Sequence, residues 1–188
     1  MFRSERVLLF RLPRIRLEVS KCEKRFVRAL AQNAPSGSGR AATALGWACD
    51  ARTLLSAGAI WWLVSPPRKR QTSLRYLAVF ATTTVLHHAI KRFVDQQRPD
   101  RVIRPPVRHQ LIGRASDAFP SGHAMHAGAL ASFLAGSGTG SPPWLWSAYG
   151  ALALSRVPAL AHWPSGVAAG FAAGVVVERS RRRIRPLQ

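Results

Sequence analysis

Acidic side chains are scarce in this chain: 8 Asp and Glu stand against 28 Lys and Arg, a formal net charge of +20. So few carboxylates leave no Asp/Glu cluster with which to hold Mg²⁺, and no metal ligands are expected. Cysteine is almost as rare. Cys22 and Cys49 are the only two, and with no CxxC or CxxxC spacing they indicate neither a zinc site nor a disulfide framework, only free thiols. A cleavable leader is not expected either. The opening run MFRSERVLLFRLPRIRLEV is interrupted by Arg11 and Pro13, and no small-residue cleavage site follows closely.

What is present is charge of one sign together with apolar length. A chain of 188 residues fits one domain. Its positive charge predicts attraction to polyanions, whether nucleic acid, anionic lipid head groups or phosphorylated substrates. The hydrophobic fraction of 47%, with Arg gathered between apolar stretches, argues for a membrane and against a nucleic-acid-binding tail. No nucleic-acid partner is expected.

Residues 15–31 put Ile15, Val19, Cys22, Phe26 and Leu30 at helical spacing, with Arg16, Lys21, Lys24, Arg25 and Arg28 mostly turned away. That is the pattern of an amphipathic basic helix lying in the head-group region against anionic lipid. A linker is expected from Gln32 to Gly39. Five apolar blocks follow, at about 42–64, 75–93, 122–137, 144–160 and 165–178. A crossing helix needs about 20 apolar residues; the last three blocks are short and rich in Ala and Gly, which suits close packing of helices in a membrane. Asp50 and Arg52, inside the first block, must face protein, pair, or lie near an interface. The chain thus divides into an N-terminal segment (1–40), a membrane domain (41–178) and a basic tail (179–188), with polar loops at Ser65–Ser73, 94–121 and Gly136–Pro143.

Three stretches place polar groups at the ends of apolar helices, where an unpaired charge is costly. In KRFVDQQRP, Lys91 and Arg98 lie seven apart, on one face if the helix continues to Pro99. In FPSGHAMH, Ser121 and Gly122 precede His123 at a helix start, where N–H groups and a hydroxyl can face an anion. In SRVPALAHWPSG, Arg156 and His162 bracket a break at Pro158 and Pro164. Together they supply what phosphoryl transfer needs: fixed cations and N–H donors, a nucleophile and an acid. His87, His88 and His126 are read as packing residues.

These stretches resemble the type 2 phosphatidic acid phosphatase superfamily, whose signature is K-x6-RP, then PSGH, then SR-x5-H-x3-D. Lys91, Arg98 and Pro99 fit the first motif; Pro120 to His123 fit the second; Ser155, Arg156 and His162 fit the third. Gly166 stands where the last Asp belongs. The resemblance spans about residues 42–178 and implies an all-α, multi-span membrane helical bundle of the phosphatase and haloperoxidase kind. It further implies hydrolysis of a lipid phosphate or diphosphate without a cofactor. His162 would attack phosphorus and form a phosphohistidine, His123 would protonate the leaving oxygen, and Lys91, Arg98, Arg156, Ser121 and Gly122 would bind the phosphate. The family's vanadium haloperoxidases share the pocket but are soluble and much longer. Localisation in a bacterial inner membrane with the site on the periplasmic side is the expectation. Gly166 removes the carboxylate that orients the nucleophilic histidine, and the alternative is a degenerate member that binds lipid phosphate without turnover. Ser165, a backbone carbonyl, Asp95 or Asp117 are the candidate replacements.

Overall fold

The computed structural model describes residues 14–33, 44–103, 116–138 and 142–184. Residues 1–13, the Ala34–Gly39 part of the expected linker, much of the 94–121 loop and the end of the basic tail lie outside them. Among the described residues are two short strands, β1 (Ile15–Arg16) and β2 (Val94–Asp95), and seven α-helices: α1 (Lys21–Asn33), α2 (Ala51–Val64), α3 (Pro67–Phe93), α4 (Pro99–Ile103), α5 (Gly122–Ala135), α6 (Pro143–Leu154) and α7 (Pro164–Ile184). The all-α bundle expected from the sequence is the observed fold class.

Local chemistry sets the helix starts. Pro67, Pro143 and Pro164 each open a helix, where the missing N–H costs nothing and φ is already helical. Asp50 and Ser121 cap α2 and α5 with side-chain oxygens that accept from the N–H groups of Arg52 and Ala124. Because Pro is accepted in a first turn, α3 begins at Pro67 rather than at about residue 75, where the expected apolar block starts, and the expected polar loop 65–73 shrinks to Ser65 and Pro66. The fourth block stops early, at Leu154, and gives way to a run of turns to His162. The expected basic tail is helical as far as Ile184, continuing α7.

α5 sits at the centre, with Ala124, Met125, Ala127, Ala129 and Ala131 each fully buried. Its most extensive partner is α7. There the backbones nearly touch: a Cβ on Gly128 would strike the Phe171 carbonyl, and one on Gly174 the Met125 carbonyl. Small residues at a crossing allow that approach and the dispersion contact it brings. Beside it, Trp61, Tyr76, Phe80 and Phe133 join α2, α3 and α5 through edge-on and tilted ring contacts at centroid separations from 4.4 to 6.5 Å. At the far end of the bundle the fully buried Glu178 takes Arg75 at 3.0 Å and the Ser132 hydroxyl at 2.6 Å.

Among the described residues no helix is long and apolar enough to cross a membrane. The two longest, α3 and α7, carry their length in ends that hold Arg68, Lys69 and Arg70, and Arg179 to Arg183. The others have 14 residues or fewer.

In α1 the stripe expected to face lipid is divided between core and surface. Val27 and Ala31 turn to the core, while Phe26 stays 58% exposed. Leu30 and Val19 pack partly against the same core.

Candidate active site

The three motif stretches are stitched together by backbone. The helix carrying Lys91 does not continue to Pro99. It ends at Phe93, the chain extends through β2, and Pro99 opens α4 instead of closing α3. Arg98 therefore reaches Lys91 by a turn of the chain, not by helical register. Gln96 holds the second stretch: its N–H donates to Ser116 O at 3.2 Å and its carbonyl accepts from Ala118 N–H at 3.0 Å. The third stretch is tied to the first by the Trp163 indole N–H donating to Gln97 O at 2.6 Å, and by Asp100 N–H donating to Leu160 O at 3.2 Å. It is tied to the second by Ser121 N–H donating to Gly166 O at 3.0 Å. Each pair of stretches is joined by at least one bond between partners far apart in sequence, so none can shift alone.

Lys91, Arg98, Gly122, His123, Arg156 and His162 all line one cavity of about 430 Å³. Six of the seven residues expected from the sequence thus meet. Ser121 does not join them on the wall. It is fully buried, and its hydroxyl oxygen accepts from Ala124 N–H at 3.3 Å as the cap of α5. Ala124 and Met125 N–H both go to Ser121, so within the first turn the N–H groups of Gly122 and His123 are the ones left without an intrahelical acceptor. Arg156 and His123 share a neighbour in Gly46, whose missing side chain admits the guanidinium.

His162 is 4% exposed, and its Nδ1 lies 2.8 Å from Ala118 O. A carbonyl only accepts, so Nδ1 carries the proton and Nε2 keeps its lone pair. Burial pushes the His162 pKa well below the usual imidazole range; the Ala118 carbonyl opposes this, while Arg98, Lys91 and Arg156 add to it. The ring is neutral, in the tautomer a nucleophile needs. Burial also draws Arg98 and Arg156 down from the ordinary guanidinium value. For Arg98 the carboxylates of Asp100 and Asp117 offset part of it. A pocket of desolvated, fixed cations around a neutral imidazole suits a tetrahedral oxyanion.

The PAP2 superfamily profile matches residues 72–186, well over half of the chain and all three stretches. The chain belongs to the PAP2 superfamily. Two solved structures share its fold. Aquifex aeolicus LpxE superposes with a TM-score of 0.72 at 17% identity, over 90% of this chain and 99% of that one. A transmembrane PAP2 type phosphatidylglycerolphosphate phosphatase from Bacillus subtilis does so with a TM-score of 0.65 at 20% identity, over 89% and 88%. No curated protein matches the chain by sequence.

Within this PAP2 pocket the site also holds residues that the sequence reading set aside. His87, one helical turn before Lys91, lines the cavity with its Nε2 buried and lacking a hydrogen-bond partner, close against Gly122. The i, i+4 spacing to Lys91 was the available signal. Asp50 and Arg52 are on the wall too, joined by a 2.9 Å bond from the Arg52 N–H to the Asp50 carboxylate. His126 is a packing residue in its bonds, with Nδ1 3.1 Å from Cys49 O and Nε2 3.2 Å from the Thr84 hydroxyl, though it also borders the cavity, as does His88.

Proposed function

We propose that this PAP2 protein is a membrane phosphatase that hydrolyses a lipid phosphate or diphosphate through a phosphohistidine. The observation that carries the reading is the sharing of one cavity by His162, His123, Lys91, Arg98 and Arg156, with His162 already fixed as the Nδ1–H tautomer. His162 Nε2 forms the bond to phosphorus as the ester oxygen leaves, and His123 gives that oxygen its proton. Water then attacks the phosphohistidine, returning a proton to His123 and releasing inorganic phosphate. Lys91, Arg98 and Arg156 bind the non-bridging oxygens, with the N–H of Gly122 beside them.

An amphiphilic substrate and a membrane setting are supported by large apolar side chains facing outward on successive helices: Ile60, Leu63, Val85, Trp144, Leu154 and Val176 are each more than half exposed. Single exposed apolar residues are ordinary, but a belt of them around a bundle marks contact with apolar surroundings. Interior charges pair, as Arg75 does with Glu178, in the way a membrane bundle requires. By the excess of Lys and Arg in the first turn of α3 and at the end of α7, the cavity end is assigned to the periplasmic side of a bacterial inner membrane.

The binding-only reading is motivated by Gly166. The Ala118 carbonyl favours turnover, since it supplies the orienting acceptor that the missing carboxylate would have been. The test is phosphate release from a panel of lipid phosphates in detergent with EDTA, for the natural protein and His162→Ala. Release by the natural protein and none by His162→Ala is expected; equal release by both removes the proposed nucleophile. Lipid phosphate binding without release by either establishes the binding-only reading.

A further inference from the structure

α1 is not tied to the bundle at random. β1, just before it, pairs in parallel with β2, Ile15 opposite Val94 and Arg16 opposite Asp95, inside the stretch that runs from Lys91 to Arg98. The Glu23 carboxylate accepts from the Ser165 N–H at 2.8 Å, in the first turn of α7 and three residues past His162. Val27, fully buried, belongs to the same core cluster as Ala118 and Trp163. The helix is thereby held at the cavity end of the bundle.

Its core-facing residues are Val27 and Ala31. The face turned away carries Cys22 and Phe26, one turn apart and both exposed, with Phe26 at 58%. Lys21, Arg25 and Arg28 flank them and are exposed as well. Glu23 is the only acid in the helix, and it is engaged with Ser165. An aromatic ring beside three cations, opposite the side that packs on protein, has the chemistry of a helix embedded at an anionic lipid interface: the ring enters the acyl boundary and the cations meet head-group charges. Each Lys or Arg near such a surface raises affinity roughly fivefold.

We propose that α1 docks on an anionic bilayer surface through Phe26, Lys21, Arg25 and Arg28, fixing the membrane level at which the cavity opens. This rests on the membrane reading above but not on catalysis.

Cys22 supplies the probe, because Cys49 is 1% exposed and only Cys22 takes a thiol-reactive environment-sensitive fluorophore. The full-length protein labelled there is reconstituted into vesicles of phosphatidylcholine alone, or with about a third phosphatidylserine, the range where surface potential is substantial. A blue-shifted emission in the anionic vesicles, quenched by head-group spin label and lost in Arg25→Glu/Arg28→Glu, is expected. Raised salt should weaken it. Identical emission in both vesicle types overturns the proposal, as does a response to heparin without one to vesicles. The same signal is expected from His162→Ala. A signal without phosphate release therefore fails the catalytic reading alone, and release without a signal fails this one alone.

Discussion

The Ala118 carbonyl oxygen lies 2.8 Å from His162 Nδ1, and the same oxygen lies 3.0 Å from where a Cβ on Gly166 would stand. Absence of a side chain at Gly166 and presence of the carbonyl acceptor are therefore one feature. The loop that brings Ala118 there is held by the Gln96 carbonyl at 3.0 Å on the Ala118 N–H. At His162 the Nδ1 acceptor is thus a backbone carbonyl.

Gly166→Ala follows directly. The new methyl meets a backbone oxygen that cannot rotate away, so the carbonyl must retreat and weaken its bond to His162. A lost hydrogen bond of about 1 kcal/mol corresponds to a fall in kcat of about five- to tenfold. Gly166→Asp adds a carboxylate that repels the carbonyl as well as crowding it, and it is expected to lower kcat rather than restore a missing function. Steady-state kinetics on one lipid phosphate decide it; a rise in kcat for Gly166→Asp would show that the carbonyl is a poor orienter.

The sequence carried the chemistry further than the architecture. Six of the seven expected site residues meet because motif spacing encodes which side chains face one anion, whatever the backbone does between them. The path was less legible: Lys91 and Arg98 look like one helical face, yet α3 stops at Phe93. β2 pairs there with a strand about 80 residues earlier, a partner that local patterning cannot name. Ser121 caps α5 with the same hydroxyl that the sequence reading gave to the phosphate, and local patterning does not separate the two uses. The face of α1 was ambiguous since Phe26 and Val27 are both apolar and adjacent, and only tertiary packing selected Val27.

Protonation of His162 should be visible in stability. Its folded pKa is pushed well below the ordinary value by burial, whereas in the unfolded chain it lies near 6.5. Below about pH 6.5 the unfolded chain binds the extra proton first, so stability rises with pH through that window and is lost as pH falls. Thermal melts in detergent between pH 7.5 and about 5, bracketing that value, should show a declining Tm in the natural protein. His162→Gln, which cannot titrate, should decline less steeply. Parallel declines would mean that His162 is not held neutral by the fold.

Glu178 is fully buried between Arg75 and Ser132, and the guanidinium of Arg75 also lies 4.9 Å from the centre of the Phe133 ring. Removing the carboxylate alone strands a buried cation, at a cost of about 3–5 kcal/mol. Glu178→Ala should therefore lower Tm sharply. Arg75→Met/Glu178→Leu replaces both charges by apolar volume and should recover most of the loss. Because the pair sits at the opposite end of α7 from His162, kcat of the folded fraction should stay near that of the natural protein in the double variant. A double variant no more stable than Glu178→Ala would mean that packing, not the stranded charge, sets the cost.

Trp163 joins the nucleophile's turn to the arginine's. It is fully buried, directly after His162, and its indole N–H reaches Gln97 O, directly before Arg98. Trp163→Phe keeps most of the ring in the core but deletes the donor. Gln97 is exposed, so water can satisfy the freed carbonyl and the loss of stability should be only about 1 kcal/mol. Arg98, however, is no longer held at a fixed reach from His162. Looser placement of a phosphate ligand weakens ground state and transition state together, which predicts a raised KM with a smaller change in kcat. Inorganic phosphate should inhibit the variant more weakly by a similar factor, a readout that simple loss of folded protein would not move.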